Sequence, residues 1–164
     1  MKTDTFAKSL ATLFAELVNG ASATGAYALN TGDEGLLRSL DRIAAADASA
    51  QTPTGSSIAA HTDHLRYGLS LMNRWSHGDN PFKDADWSVS WRKTTVSDTE
   101  WRQLRHDLRV EALAWLEALG TPRDVTEIEA NGMIASIVHL GYHLGAIRQI
   151  NRATRGPREE ERPA

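Results

Sequence analysis

The sequence predicts an all-α fold, a four-helix bundle with one short extra helix. Apolar residues recur at spacings of three and four along four long segments, and this spacing marks one face of a helix. Residue types that start and stop helices flank those segments. The connections between them are of middle length, which suits a bundle of long helices.

The length of the chain favours a single domain. Its 164 residues provide a core large enough for the domain to fold alone. We assign residues 1–156 to the helical bundle. Residues 157–164 are rich in charge, and we expect them to form a disordered tail.

The first helix is predicted at residues 5–18 and ends at Asn19-Gly20. Its apolar face carries Phe6, Leu10, Leu13, Phe14 and Leu17. Residues 21–33 indicate a loop, and Asp33 is placed to cap the short extra helix. The buried side of that helix carries Leu36, Leu37, Leu40 and Ile43.

The second long helix follows a connection at residues 49–57 that is rich in Ser, Thr, Pro and Gly. It begins near Ile58 and ends at His77-Gly78. Residues 78–95 have no helical period, but they contain Phe82, Val89 and the tryptophans Trp87 and Trp91. This composition predicts a long loop outside the bundle that is held in place by aromatic anchors.

The last two helices have clear boundaries. Ser97 begins a Ser-Asp-Thr-Glu capping box, so the third long helix is predicted at residues 98–119, before Gly120 and Pro122. The fourth is predicted at residues 126–153, before Gly156-Pro157.

Composition excludes several classes of function. The net charge of −3 and the lack of a basic stripe argue against nucleic acid as a partner. The chain has no Cys, which excludes disulfides, thiolate ligands and a cysteine nucleophile, so any thiol must come from a ligand. No apolar run approaches the length of about 18 residues that a membrane helix needs, and the N-terminus lacks a signal peptide. We therefore expect a cytoplasmic protein without a membrane partner.

Two histidines of the last helix point to a metal. His139 and His143 are four residues apart, so both rings leave one face of the helix, one turn apart. The same face carries Ile147 and Ile150 and therefore points into the bundle. Two such imidazoles can reach one metal ion at about 2.0–2.1 Å each.

The second long helix contributes a further pair, His61 and His64. His61 lies nearer the centre of the stripe that contains Ile58, Leu65 and Met72, whereas His64 lies on its flank. We take His61 as the third ligand and His64 as its substitute or as a supporting residue. The alternative is a set of hydrogen-bonded core histidines. A metal is favoured because it satisfies several buried imidazoles at one point.

A zinc protease is excluded by the residue after His139. That signature needs Glu directly after its first His as the general base, and Leu140 stands at this position.

The histidine segments resemble those of the DinB-like (DinB/YfiT-like) superfamily. Residues 139–150, His-Leu-Gly-Tyr-His-Leu-Gly-Ala-Ile-Arg-Gln-Ile, are similar to the final-helix pattern of that family, two His four apart followed by Gly and Gln. Residues 57–65 are similar to its second-helix motif, which holds one metal-binding His. Residues 71–75 and 80–82 also resemble one of its subgroups. The resemblance extends over nearly the whole chain. The additional His64 departs from the pattern.

The resemblance implies an up-down-down-up bundle, often dimeric. It also implies a divalent metal, zinc or nickel in some members, on His61, His139 and His143. Characterised relatives include S-transferases that use bacillithiol or mycothiol, and a maleylpyruvate isomerase. The function expected on this basis is a metal-dependent thiol S-transferase or a related detoxification enzyme, a homodimer whose substrates are a small thiol and an electrophile. The other class is a stress-related bundle that binds a metal or a small ligand without turnover, and no residue outside the metal shell is an unmistakable base that would decide between them.

Overall fold

The computed structural model describes residues 3–22, 25–53 and 55–157. This part of the chain is all-α and contains no strand beyond an isolated bridge between Ser22 and Gly25. The helices are α1 (Thr3–Asn19), α2 (Gly35–Asp41), α3 (Ala45–Ala48), α4 (Ile58–Ser76), α5 (Asp98–Gly120) and α6 (Glu127–Ile150). The all-α prediction is thus confirmed, and the long helices pack together in a bundle. The predicted charged tail falls almost wholly on residues 158–164, which lie outside the described residues.

The short helices differ from the prediction in number. One short extra helix was expected, and the described chain has two, because α3 adds a single turn before the connection to α4. Asp33 was predicted to cap α2, but the N-cap position is held by Glu34, whose side chain makes no capping hydrogen bond. Asp33 lies one residue earlier, and its Oδ1 accepts a hydrogen bond from the backbone N–H of Gly35 at 2.8 Å. The last helix ends at Ile150 rather than at residue 153, and a 3₁₀ turn, Arg152–Thr154, continues the chain. Such tighter turns are frequent at helix ends.

Side-chain caps explain where the long helices begin. The capping box of α5 is present as predicted, with Ser97 Oγ accepting from the N–H of Glu100 and Glu100 accepting from the N–H of Ser97. Thr126 and Glu129 form an equivalent box at the start of α6. Each box satisfies two backbone groups that a helix end otherwise leaves unpaired.

The bundle is built from two helices packed against two others. Both α4 and α1 pack against α5 and α6, and apolar side chains from all four fill the centre. The largest fully buried ones include Phe14, Leu65, Leu108, Trp115, Leu140 and Ile147. In the described part of the chain, no helix has the length and apolar character that a membrane crossing requires.

Cross-contacts show that α4 and α5 run in the same direction. Ser57, just before α4, donates a hydrogen bond to the carbonyl of Thr94, just before α5, at 2.8 Å. Asn73, near the end of α4, donates to the carbonyl of Glu111 in the second half of α5 at 3.0 Å. Residues 77–97 must therefore return along the bundle, and their 3₁₀ turns Pro81–Lys83 and Val89–Trp91 lie against α4.

Helix α6 runs in the opposite direction to α4. His61, early in α4, contacts His143, late in α6, whereas Trp75 at the end of α4 lies over Gly132 near the start of α6. A Cβ atom at Gly132 would come within 2.7 Å of the Trp75 ring, so glycine permits this close approach. The antiparallel arrangement brings the two histidine pairs to the same level of the bundle.

Candidate metal centre

Four histidines from two helices form one cluster. His61 and His64 of α4 are each 7% exposed, and His143 of α6 is 2% exposed. His139, one turn before His143, is half-buried. The protein thus contains a buried group of imidazoles between α4 and α6, although the two pairs are 75 or more residues apart in the sequence.

Three of these rings direct nitrogens toward a common point. Nε2 of His139 lies 3.0 Å from Nε2 of His143 and 3.1 Å from Nε2 of His64. One nitrogen from each of the three rings lies within 4.8 Å of the other two. Bond lengths of about 2.0–2.1 Å place two coordinated nitrogens about 3.0–3.4 Å apart. The cluster could therefore hold a single metal ion.

His61 joins the cluster through the other nitrogen of His143. Its Nδ1 lies 2.8 Å from Nδ1 of His143, whereas His143 faces His139 with Nε2. All three residues predicted as ligands, and the substitute His64, are thus brought together. The nitrogens that converge belong to His64, His139 and His143, and which three residues bind a metal stays a prediction.

A hydrogen-bond chain orients the His64 ring. The Ser90 hydroxyl donates to the carbonyl of Trp87 at 2.9 Å, and its oxygen lies 2.9 Å from Nδ1 of His64. Because the hydroxyl proton is already used, Ser90 accepts the proton of Nδ1. Nε2 of His64 is then the unprotonated nitrogen, and its lone pair points toward His139. Metal-binding histidines are held in this way by a partner on their second nitrogen.

Sequence reasoning missed Ser90. It lies in the Val89–Trp91 turn and is 1% exposed. In the sequence, Ser90 is marked only by its position between Trp87 and Trp91. That position does not predict a contact with a histidine of α4.

Two loop tryptophans cover the cluster. The Trp91 ring stacks on His64 with centroids 4.5 Å apart, and its centroid lies 5.1 Å from that of His61. Trp87 lies 5.6 Å from His64 and 6.5 Å from His139, measured between ring centroids. The loop is anchored by aromatic side chains, as the sequence predicted, and its tryptophans cover this site.

Burial keeps the imidazoles neutral. It lowers the pKa values of His61 and His139. Burial, with smaller contributions from neighbouring histidines, lowers the pKa of His143 to about 3. The same causes lower the pKa of His64 to about 4, although the Asp63 carboxylate acts in the opposite direction. Neutral imidazole is the form that coordinates metals.

A cleft of about 530 Å³ adjoins the cluster. It lies between α4, α6 and the aromatic loop, with His64 and His139 at its wall. The remaining wall is mainly apolar and includes Gly68, Met72 and Trp87.

Other polar residues near the histidine segments have separate roles. Arg148 donates to Oδ1 of Asp33 at 2.7 Å and forms an ion pair with it. Tyr67 accepts a hydrogen bond from the N–H of Asp86 at 3.1 Å, and Tyr142 is 69% exposed.

Comparisons with known proteins identify no relative. No family model matches the chain, and no curated protein or solved structure matches it. The all-α bundle and its cluster of histidines, which can hold a metal, are therefore the basis for any functional assignment.

Proposed function

We propose that the protein is a DinB-like metalloenzyme that holds one divalent ion, zinc or nickel, and transfers a small thiol to an electrophile. We assign the metal to His64, His139 and His143. The observation that carries the proposal is the convergence of three neutral imidazole nitrogens beside a cleft. Imidazole suits several divalent metals, and the preference for zinc or nickel comes from the family resemblance.

The directions of the helices support the family assignment. An up-down-down-up bundle requires parallel second and third helices and an antiparallel fourth. The contacts of Ser57 with Thr94 and of Asn73 with Glu111 indicate that α4 and α5 are parallel. The contact between His61 and His143 indicates that α6 is antiparallel to α4.

The choice of His64 over His61 follows from the two nitrogens of His143. His64 Nε2 and His143 Nε2 both face His139 Nε2, whereas His61 contacts the opposite nitrogen of His143. We therefore propose that His61 orients His143, as a hydrogen-bonding partner of a metal ligand does.

The chemistry follows from the donor set and the absence of cysteine. His64, His139 and His143 would hold the divalent ion, which would supply a position for a substrate thiol and would favour loss of the thiol proton. Trp87 and Trp91 limit the access of water to this position, and Ser90 and His61 hold the rings in place. In the transfer, a bond forms between the thiol sulfur and the electrophilic carbon, the leaving group departs with its electron pair, and the thiol proton passes to solvent.

A second candidate is a bundle that binds a metal or small ligand without turnover, in a stress-related role. One observation favours it. Asp63, a carboxylate next to the cluster, already accepts a hydrogen bond from Arg66 Nε at 2.8 Å, so its Oδ1 is engaged within the protein rather than directed to a substrate.

The test is turnover by the purified protein. The metal-loaded protein is assayed with a panel of low-molecular-weight thiols and a chromogenic electrophile, and the chelator-treated protein is the control. We expect thiol-dependent product that disappears on chelation and returns with the metal. Binding of one metal equivalent without turnover across the panel would support the non-catalytic candidate instead.

We further propose a homodimer that pairs through the outer face of α6. This face exposes the large apolar side chains Ile128, Ile134, Val138 and Tyr142, and residues 130–147 contain no Asp, Glu, Lys or Arg. Identical surfaces meet in a twofold dimer, so an uncharged face avoids repulsion between like charges. Sedimentation equilibrium should show a dimer that Val138→Glu dissociates and Ala114→Glu, on exposed α5 surface, leaves intact. A monomeric parent protein at high concentration would contradict the proposal.

A further inference from the structure

The wall of the cleft beside the histidines offers no partner for a charged ligand. Its lining contains no Asp, Glu, Lys or Arg among the described residues. The polar lining groups are His64, His139 and Ser136. Ser136 is already engaged, since its hydroxyl donates to the carbonyl of Met133 and accepts from Nε1 of Trp115. In the metal-free protein, a charge placed in the cleft would therefore lose water without gaining a counter-charge.

Aromatic rings form part of the wall and remain partly exposed. Phe82 and Trp87 are each 40% exposed and both line the cleft. Neighbouring rings hold them edge-on: Trp75 lies 5.7 Å from Phe82, and Tyr67 lies 5.6 Å from Trp87. Positioned aromatic surface in a concave apolar site is typical of ligand pockets.

The width of the cleft depends on Gly68. A Cβ atom there would lie 3.4 Å from the Trp87 ring and 3.7 Å from Cε1 of His139. Because this is ordinary van der Waals contact, a methyl group would occupy cleft volume next to the histidines without a clash. Glycine thus leaves open the part of the cleft that leads to His139.

We infer that this cleft binds an uncharged, largely aromatic small molecule. Its role as the electrophilic substrate rests on the proposed function, but binding itself needs only the cleft. With a volume of about 530 Å³, the cleft lies within the usual size range of small-molecule pockets. The position of His64 and His139 in its wall places one end of the ligand at the proposed metal centre.

The test compares two fluorescent probes with one aromatic skeleton. N-phenyl-1-naphthylamine is neutral, and 8-anilinonaphthalene-1-sulfonate adds one negative charge. Chelator-treated protein is used, so that a metal cannot attract the sulfonate. We expect the neutral probe to bind at one site at least about tenfold more tightly than the charged one, because burial of an unpaired charge is unfavourable.

Two variants, Ala135→Glu and Gly68→Ala, test whether the probe binds in the cleft, and a third variant is the control. Ala135 lines the cleft from an exposed position on α6, so Ala135→Glu should weaken binding of the neutral probe at least about tenfold while the circular dichroism spectrum stays helical. Ala114→Glu, the same substitution at an exposed position of α5 outside the cleft lining, is the matched control and should bind as the parent does. Gly68→Ala, which narrows the cleft without adding charge, should also weaken binding.

Equal affinity for the two probes, or neutral-probe binding unchanged in both Ala135→Glu and Gly68→Ala, would overturn the inference. These outcomes are separate from failure of the proposed function. Probe binding that follows the predictions in a protein without turnover would leave the cleft assigned and reject the enzyme. Metal-dependent turnover together with no probe binding would support the enzyme and reject the proposed role of the cleft.

Discussion

Two groups of buried polar side chains in this bundle are satisfied in different ways. Glu16 and Asp33 are buried carboxylates that accept hydrogen bonds from donors of the chain itself. Glu16 accepts from the backbone N–H groups of Tyr27, Ala28 and Leu29. Asp33 accepts from the N–H of Gly35 and from Arg148. These carboxylates hold the loop after α1 and the end of α6 in place.

The histidine cluster is satisfied differently, because its members mostly face one another. Nε2 of His139 lies within 3.1 Å of two other Nε2 atoms. A neutral imidazole carries one proton for two nitrogens, so three converging nitrogens cannot all find a partner among themselves. Buried polar groups are normally paired. The comparison teaches that the carboxylates serve the fold, whereas the imidazoles leave converging nitrogens that a metal ion could satisfy.

The largest expected effect is loss of metal from the proposed ligand variants. His64→Ala and His139→Ala each remove one converging nitrogen, and both should lose stoichiometric metal in elemental analysis of the purified protein. His61→Ala is the matched control from α4 and should lower affinity by about 10–100-fold, the usual effect of removing a partner of a ligand. If His61→Ala abolishes metal binding and His64→Ala retains it, His61 is the third ligand.

Removal of the buried Asp33 carboxylate is expected to have a large effect on the free energy of unfolding rather than on metal binding. Asp33→Ala leaves Arg148, whose side chain is 15% exposed, without its partner and should lower the free energy of unfolding by about 3–5 kcal/mol. Urea denaturation measures this. Asp41→Ala, which removes more exposed ion pairs with Arg105 and Arg109, should change it by about 0–1 kcal/mol. The folded Asp33→Ala protein should still bind one metal equivalent, and loss of metal binding would break the comparison.

An intermediate effect is expected from pH. All four cluster histidines have pKa values below the usual 6.5, with His64 at about 4 and His143 at about 3. Below pH 6.5 the unfolded chain takes up protons that the folded chain does not, so folding becomes less favourable. The stability of the metal-free protein should be fully present above about pH 6.5 and should fall progressively toward pH 4. Urea midpoints at pH 7.5 and 5.5 test this, and His143→Gln should show a weaker dependence. An unchanged or higher midpoint at pH 5.5 would contradict the assigned direction.

The smallest expected effect is a difference in the free energy of unfolding between alanine variants of two glycines, Gly68 in α4 and Gly132 in α6. Gly68→Ala should raise the free energy of unfolding by about 0.5–1 kcal/mol, because alanine favours a helix and its methyl group fits. Gly132→Ala should lose this gain, since its methyl group would lie 2.7 Å from the Trp75 ring. Thermal denaturation of both variants checks the difference. A gain in Gly132→Ala equal to that in Gly68→Ala would show that Trp75 can move away.

The sequence by itself determined the all-α class and the approximate positions of the long helices. Helix periodicity and caps depend on residues that are close in the sequence. Ser97 and Glu100 therefore predict the start of α5 independently of the rest of the chain. It also indicated that His139 and His143 share an inward face, since a spacing of four depends only on helix geometry.

Only the tertiary structure decided which atoms meet across the bundle. His61 and His64 are three residues apart on one helix, and their angular positions ranked His61 first. Their contacts depend on the course of residues 77–97, which brings Ser90 to His64, and on the register of α6, which places His61 at the far nitrogen of His143. The pairing of Asp33 with Arg148, 115 residues apart, has the same cause. Such contacts arise from the packing of segments that are distant in the sequence, so local periodicity does not predict them.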